Sequence, residues 1–474
     1  MAANPDLTER IKDYAREVGF DAVGIARAEP FPDDRRVTRE RIAVGHYSGL
    51  SWFTAARADF SSDPRNLLPT ARSIISLAMS YRPEGAIPLC EGGAPRGRVS
   101  AYAWGRDYHA VLKERMERVV AYIRANHGQD QQARTLVDTA RILDRAAARR
   151  AGVGWVGKHT NVITKAAGSW VFLGEILTEL ELAEDKPLRT NCGSCDLCLR
   201  ACPTGAIVAP YEVQSDRCIS YLTIEHRGII PRELRPLMGA WIFGCDVCQE
   251  VCPPNHRPGG VPAHREFRPG GTELPMYNPV PPGTAGARSR CSPAPVPPGT
   301  AEAVTGRVTY QPAVVPAGAP RVFTGTTAVP AAVSVDTLPA GTPRALETGM
   351  HGQGIAFATG GSDDHSLAAP ELIPLLDITQ EEFSVRFGKT PVKRAKREGL
   401  QRNVAIALGN GGDRAAVPAL ARALREAAPV VRAHAAWALG RLGGPDAART
   451  LRDALDGESE ETVREEIELA LGAP

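Results

Sequence analysis

The chain has 474 residues, 43% of them apolar and 23% charged, with a formal net charge of +2. That length suits about two to four domains, and the near balance of charge excludes a globally basic nucleic-acid binder, so any polyanion site must be a local patch. No apolar run reaches the ~20 residues of a membrane span, and the opening MAANPDLTERIKDY lacks the basic-then-apolar order of a signal peptide, so a cytoplasmic protein with no membrane partner is expected.

Residues 5–28 read as a helix followed by a strand. Leu7, Ile11, Tyr14 and Val18 share one helical face, Gly19 ends it, and the apolar run 22–26 has strand character. Segment 71–80 (ARSIISLAMS) is a second buried strand candidate. Residues 107–127 carry helical periodicity through Tyr108, Val111, Leu112, Met116, Val119 and Val120. A helix follows over about 140–151, and an apolar strand over 168–180. This alternation predicts an α/β or α+β domain over 1–185. A cysteine-rich module spans 186–256. Residues 257–370 are crowded with Pro, Gly, Ala, Thr and Val, and repeat Val-Pro-Pro-Gly-Thr-Ala at 280–285 and 296–301; a linker or disordered insertion is expected. Order resumes over 371–474. There Asn403–Gly409 aligns with His434–Gly440, and Leu420 and Leu424 with Leu451 and Leu455, at a constant offset of 31 residues, with a third start over Val463–Gly472. Paired helices at that period predict a HEAT-type α-solenoid.

The chemistry lies in the cysteines. Eight of the ten form Cys192-x-x-Cys195-x-x-Cys198-x-x-x-Cys202-Pro, then Cys218, then Cys245-x-x-Cys248-x-x-x-Cys252-Pro. This is the bacterial ferredoxin spacing for two [4Fe–4S] clusters, with one cysteine of the second run displaced upstream. A cubane takes one thiolate per iron, and the last cysteine of each run crosses to the other cluster. Cys192, Cys195, Cys198 and Cys252 are therefore expected to hold one cluster, and Cys202, Cys218, Cys245 and Cys248 the other. A zinc ribbon uses separate C-x-x-C pairs, and disulfides need an oxidising compartment; neither calls for this spacing. Cys90 and Cys291 stand outside it.

Two glycine motifs point away from nucleotide binding. Gly152-Val-Gly154-Trp-Val-Gly157-Lys158 matches G-x-G-x-x-G and nearly a P-loop, yet helix-forming ILDRAAARRA precedes it where a strand is required, and His159 replaces the magnesium-binding Ser/Thr. Asp363-x-His365 begins like a cobalamin-ligating motif, but no glycine follows at the required spacing. A basic stretch, Arg386, Lys389, Lys393, Arg394, Lys396, Arg397 and Arg402, precedes the repeats. It reads either as a solvated face or as a phosphate-binding strip.

Several segments together resemble one family. They are Tyr102-Ala-Trp-Gly-Arg-Asp-Tyr108-His109, Val137-Asp138-Thr139 with Leu143-Asp-Arg-Ala146, Gly154-Trp-Val-Gly-Lys158-His159-Thr-Asn161, Cys218-Ile-Ser-Tyr-Leu-Thr-Ile-Glu225, and Gly244-Cys-Asp246-Val-Cys-Gln-Glu-Val-Cys-Pro253. In this order, followed by HEAT repeats, they are similar to the epoxyqueuosine reductases. The resemblance implies an α+β protein with a cobalamin-binding catalytic domain, a two-cluster ferredoxin-like domain and a helical repeat domain. It implies reduction of the epoxide on the modified wobble base of tRNA, with cobalamin beside two [4Fe–4S] clusters and an external low-potential electron donor, in a monomer. It places Asp138 at the general-acid position, and burial is expected to raise its pKa so that it carries a proton. On its own residues Asp138 equally suits a helix N-cap. Tyr102, His109, Lys158, His159, Asn161 and Asp246 are expected near cobalamin, and Lys393, Arg394, Lys396, Arg397 and Arg402 on tRNA phosphates. The chain departs from the family pattern at Ala140-Arg141, Ala240 and Pro254. A reductive-dehalogenase-like enzyme and a ferredoxin-like carrier are the rival readings. The solenoid and the lack of a twin-arginine signal argue against the first, and the large N-terminal domain against the second.

Overall fold

The structure is a computed structural model and describes residues 5–84, 94–269 and 367–472. Cys90, Cys291, the Val-Pro-Pro-Gly-Thr-Ala repeats and the Asp363-x-His365 motif lie outside the described residues.

The N-terminal half is built on a four-stranded sheet. Helix α1 (Pro5–Glu17) leads into β1 (Ala22–Arg27), followed later by β2 (Ser73–Ser80). Helix α2 (Tyr108–His127), β3 (Ala133–Val137), α3 (Asp144–Arg150), β4 (Gly154–Val156), β5 (Val162–Thr164) and β6 (Val171–Thr178) follow. The sheet order is β1-β2-β6-β3, with each neighbouring pair antiparallel. The alternation of helix and strand thus resolves as α+β. Every residue of β2 is buried, because both faces of the sheet are covered. Ile75, Leu77, Met79 and Ile176 pack under α1 and α2 with Ile11, Leu112 and Met116. On the opposite face Ile74, Ala78, Leu136 and Leu177 pack against Ala146, Ala147 and Ala148 of α3. Period-2 alternation sends successive side chains into these two cores.

The glycine-rich 152–158 segment forms no phosphate cradle. Gly154 opens β4, which pairs with β5 as a small antiparallel hairpin. The cysteine module contributes α4 (Leu197–Ala201), α5 (Ile219–Ile224), β7 (Trp241–Phe243) and α6 (Val247–Glu250).

The expected linker begins later than the composition suggests. Residues 257–269 fold back over the sheet domain: Val261 N donates to Ala166 O (2.9 Å) and Ala263 N to Arg82 O (3.0 Å). His264 pairs with Asp21 (2.8 Å), and Phe267 is 1% exposed. At the far end Leu367, Ala368 and Ala369 are buried, and Val99 N donates to Ala368 O. Composition flags the proline and glycine content but not these anchoring side chains.

Helices α7 (Leu372–Leu376), α8 (Gln380–Phe387), α9 (Lys396–Gly411), α10 (Val417–Glu426), α11 (Pro429–Leu442), α12 (Pro445–Gly457) and α13 (Glu461–Leu471) form the repeats. The repeated glycines let successive helices close together. A Cβ on Gly409 would stand 2.9 Å from Ala438 Cα, and one on Gly440 2.7 Å from Ala470 Cβ.

The array docks on the cysteine module through buried polar groups. Arg402, 1% exposed, donates to the carbonyls of Leu222 (2.6 Å), His226 (2.8 Å) and Gly228 (3.1 Å) at the end of α5. Asn403 Nδ2 donates to Thr223 O (2.9 Å) and Ile242 O (2.8 Å). Arg235, fully buried, forms a two-armed pair with Glu466 (2.6 and 2.9 Å). Replacing Arg402 by Leu strips three buried carbonyls of their donor. The expected loss is on the order of 3 kcal/mol, read by denaturant unfolding, whereas Arg425→Gln on an exposed face stays within about 0.5 kcal/mol. Equal stability of Arg402→Leu and the parent chain would refute the latch.

Candidate active site

Asp138 follows β3 on a turn closed by Ala140 N donating to Val137 O (2.7 Å). It is no helix cap, since α3 begins six residues later with Leu143 at its N-cap. Its side chain is 46% exposed and is gripped from α2. His109 Nε2–H donates to Asp138 Oδ1 (2.7 Å), and the Tyr108 hydroxyl donates to Oδ2. The other face of the imidazole meets Asp107, which caps α2: its Oδ1 accepts from His109 Nδ1–H (2.7 Å) and from the His109 backbone N–H (3.1 Å). Both ring nitrogens therefore donate to carboxylates, the arrangement of an imidazolium. The Tyr108 ring is stacked between His109 (4.2 Å) and Phe172 (4.4 Å), which fixes its hydroxyl.

The electrostatics correct one expectation. Burial alone would raise the Asp138 carboxyl. The hydrogen bonds from His109 and Tyr108, with the charges of His109 and Arg394, outweigh it and hold the group below the ordinary carboxylate range. Burial would likewise lower His109, but its bonds to Asp107 and Asp138 raise it to about 9. The pair thus carries its proton on the imidazole. Sequence reasoning expected a buried, protonated aspartate; the structure has a half-exposed carboxylate beside an imidazolium.

A basic lip from the solenoid entrance closes over this group. Asp107 N donates to Lys389 O (3.1 Å), Lys393 Nζ reaches Asp107 Oδ2 (2.7 Å), and Arg394 pairs with Glu225. Arg227 in turn donates to Arg394 O (2.8 Å) and Ala395 O (2.9 Å). The five cations assigned to tRNA therefore separate. Lys393 and Arg394 border Asp138, Lys396 is exposed and Arg397 half-buried, and Arg402 is withdrawn into the domain contact, which rules it out as a phosphate ligand.

Other assignments also move. Lys158 Nζ donates to Gly193 O and Cys195 O, both at 2.8 Å, so it clamps the first cysteine loop rather than lining a corrin pocket. Asp246 is 2% exposed and accepts from Ser100 Oγ (2.7 Å), Ala101 N (2.7 Å) and Gln249 Nε2 (2.9 Å). It braces the cysteine module against the 100–102 segment and has no free face for a cofactor. Tyr102 stays near the centre, edge-on to Tyr108 (6.2 Å); burial, then the charges of Asp138 and Asp246, push its phenol well up. His159 is 4% exposed. Its Nδ1 accepts from Asn161 N–H (3.2 Å), which leaves the proton on Nε2, a buried donor without a partner. Burial and Arg145 lower it to about 4, so it is neutral. Tyr108 and Asp107 were absent from the sequence-derived site, although both stand beside His109 in the motif that carries the resemblance.

None of the eight module cysteines is in a disulfide, and they fall into the two crossed sets. Burial, then Cys192, Cys198 and Cys195, pushes Cys252 up to about 12. Burial, then Cys245, Cys218, Asp246 and Cys202, raises Cys248. Cys245 is raised in the same way, with Cys218 and Cys202 among its neighbours. Among the described residues no three His, Cys, Asp or Glu side chains sit close enough to hold a single metal ion. Two sets of four thiols fit two four-iron groups, one thiolate per iron. A separate cleft of about 410 Å³, lined in part by Arg27, Arg65, Arg72 and Glu181, contains none of these residues.

Residues 62–139 match the domain described as epoxyqueuosine reductase QueG, DUF1730, residues 191–255 the 4Fe-4S double cluster binding domain, and residues 393–472 HEAT repeats. An epoxyqueuosine reductase of Leadbetterella byssophila is 41% identical over 250 residues, 53% of this chain and 80% of that protein. The chain belongs to the epoxyqueuosine reductase family. The Bacillus subtilis epoxyqueuosine reductase is 29% identical over 467 residues, 98% of this chain and 94% of that protein. A solved epoxyqueuosine reductase with an epoxyqueuosine-modified tRNA-Tyr stem loop covers 98% of both chains at 28% identity and a TM-score of 0.74. Another, from Streptococcus thermophilus, covers the same shares at 26% identity with a TM-score of 0.71. In this family member the Asp138 turn lies against His109.

The raised His109 gives a pH signature. Its ion pair with Asp138 contributes fully below the ordinary histidine value of 6.5 and is lost as pH rises through about 9. Histidine-labelled protein followed by NMR should titrate His109 near that value, and Asp138→Asn should move the midpoint down. An unchanged midpoint in the variant would show that Asp138 does not hold the proton on His109.

Proposed function

We propose that this chain reduces the epoxide of epoxyqueuosine in tRNA to the alkene of queuosine. The reaction takes up two electrons and two protons and releases the epoxide oxygen as water. The observation that carries the reading is the Asp138–His109–Tyr108 constellation, set beneath a basic lip and beside a module with two sets of four thiols.

The residues fit a corrin only in part. The unpartnered Nε2–H of His159 is a buried donor suited to an amide carbonyl, and Asp138 is half exposed. Lys158 and Asp246 are committed elsewhere. The chemistry that bound cobalamin supplies here is delivery of reducing electrons to the epoxide carbon.

The chain's own groups deliver the first proton, and the half-exposed Asp138 relays the second from solvent as the oxygen leaves as water. Cleavage of the C–O bond builds negative charge on oxygen, which raises the proton affinity of a nearby carboxylate. His109 Nε2 holds a proton 2.7 Å from Asp138 Oδ1 and passes it as that charge develops, so Asp138 donates without having to store a proton at rest. Tyr108 fixes the second oxygen and leaves Oδ1 to shuttle. Asp107, held by Lys393, keeps the imidazole oriented. Lys389, Lys393, Arg394, Lys396 and Arg397 receive the anticodon phosphates, and a wobble base in a single-stranded loop can be splayed under the lip. Electrons enter from an external low-potential donor. The protein works as a cytoplasmic monomer; among the described residues no helix is long and apolar enough to cross a membrane.

Anaerobic reconstitution with iron, sulfide and cobalamin, followed by reaction with epoxyqueuosine-tRNA, tests the activity. Absence of queuosine in the nucleoside digest would sink it. Asp138→Ala should retain both clusters and cobalamin, read by absorption and metal analysis, while turnover falls by roughly 10²-fold or more. Full turnover would remove Asp138 from the proton path. Lys396→Glu with Arg397→Glu should weaken tRNA binding and flatten its logarithmic salt dependence by roughly one per lost phosphate contact. An unchanged slope would return both residues to an ordinary solvated face.

A further inference from the structure

The β4–β5 hairpin supplies two groups that the reaction reading does not use. Trp155 of β4 is 7% exposed, and its indole Nε1–H, a donor with no acceptor capacity, is buried without a partner. An unpaired buried donor costs free energy, so its surroundings matter. Trp155 packs in a small apolar group of its own with Ile163 and Cys252, flanked by Leu188 and Cys192. Apart from the indole nitrogen itself, only Cys252 and Cys192 carry a side-chain heteroatom in that group, and neither Sγ accepts from it. Both belong to the set Cys192, Cys195, Cys198 and Cys252. Three residues after Trp155, Lys158 places its ammonium on the carbonyls of Gly193 and Cys195 in the same set's loop, while Lys158 O accepts from Tyr211 N (2.9 Å) of the same module. One hairpin thus brings an unpaired N–H and a cation to one set of thiols.

We propose that the hairpin sets the reduction potential of the cluster held by Cys192, Cys195, Cys198 and Cys252, through an N–H···S hydrogen bond from Trp155 to a sulfide of the cluster and through the charge of Lys158. The inference rests on the reading that these thiols hold a [4Fe–4S] cluster. One-electron reduction adds a negative charge to the cluster. Hydrogen bonds to its sulfurs and a nearby cation stabilise that added charge and move the potential in the positive direction. Residues 193, 194, 196 and 197 of the surrounding loop are exposed, so this is the cluster that an external donor reaches first. A raised potential makes it the readier electron acceptor. The second set, beside Asp246 and the 100–102 segment, lacks this hairpin and keeps its own potential. Trp155 and Lys158 are positioning residues that act through the cluster.

The test is an EPR-monitored redox titration of the reconstituted full chain. Iron content and two cluster signals in the parent protein check the underlying reading; a parent chain with a single cluster ends that reading and is distinguishable from failure of the proposal. Trp155→Phe keeps the ring and removes the donor. At full iron content it should shift one cluster's midpoint negative and leave the other unmoved. Lys158→Met should shift the same cluster in the same direction, by less because the ammonium is partly solvated. An unmoved midpoint in Trp155→Phe at full occupancy overturns the hydrogen bond. Should that variant lose iron, pulsed EPR on parent protein carrying ¹⁵N-indole tryptophan decides the matter: hyperfine coupling to one cluster supports the bond, and its absence overturns it.

Discussion

The last cysteine of each run belongs with the other run's thiols, and the rest of the molecule leans on that crossing. Because Cys252 sits with Cys192, Cys195 and Cys198 while Cys202 sits with Cys218, Cys245 and Cys248, the two runs cannot be placed independently. Everything attached to them inherits a fixed position. Asp246, between Cys245 and Cys248, ties Ser100 and Ala101 to the module, which holds Tyr102 against Tyr108. Gly244, just before Cys245, has a positive φ and lies so close to Ser100 that a Cβ would stand 2.4 Å from Ser100 Cβ. The cysteine module and the Asp138–His109–Tyr108 group thus share a backbone wall.

The same module anchors the solenoid. Arg402 and Asn403 saturate the carbonyls at the end of α5, the helix that starts after Cys218, and His434 accepts from Ile230 N (3.2 Å). Buried polar latches of this kind contribute orientation more than net stability, because desolvation offsets much of their attraction. Orientation is what the site requires, since the segment just before α9 carries Lys393 and Arg394 to Asp107 and Asp138. A solenoid docked one turn away would leave His109 with its carboxylates but without the lip that orders them.

The protonation of the Asp138–His109 pair is set by charge arrangement rather than by desolvation alone. A lone buried aspartate would hold its own proton, but it would have to be screened from every cation. Here the carboxylate is paired with an imidazolium that itself sits between two carboxylates, so the proton is retained to about pH 9 yet lies one hydrogen bond from Asp138 Oδ1.

The sequence by itself determined the parts whose signal is local. The cysteine spacing foretold the two groups of four thiols, because their short-range repeats are written in the chain. The 31-residue offset gave the helical repeats, because each repeat buries the same face. The helix before Gly152 excluded a phosphate cradle, because backbone direction there is set by neighbouring residues. Tertiary structure alone decided the roles of the charged residues. Lys393 and Asp107 lie 286 positions apart, and Arg402 and Leu222 180 apart; no pattern in a single chain encodes such pairings. Arg402 looked like its basic neighbours until burial removed it from the surface, and Lys158 looked like a cofactor ligand until its ammonium was found on the cysteine loop. Charge is legible in sequence, but what a charge does depends on its partner and its exposure, and both are set only when distant segments meet.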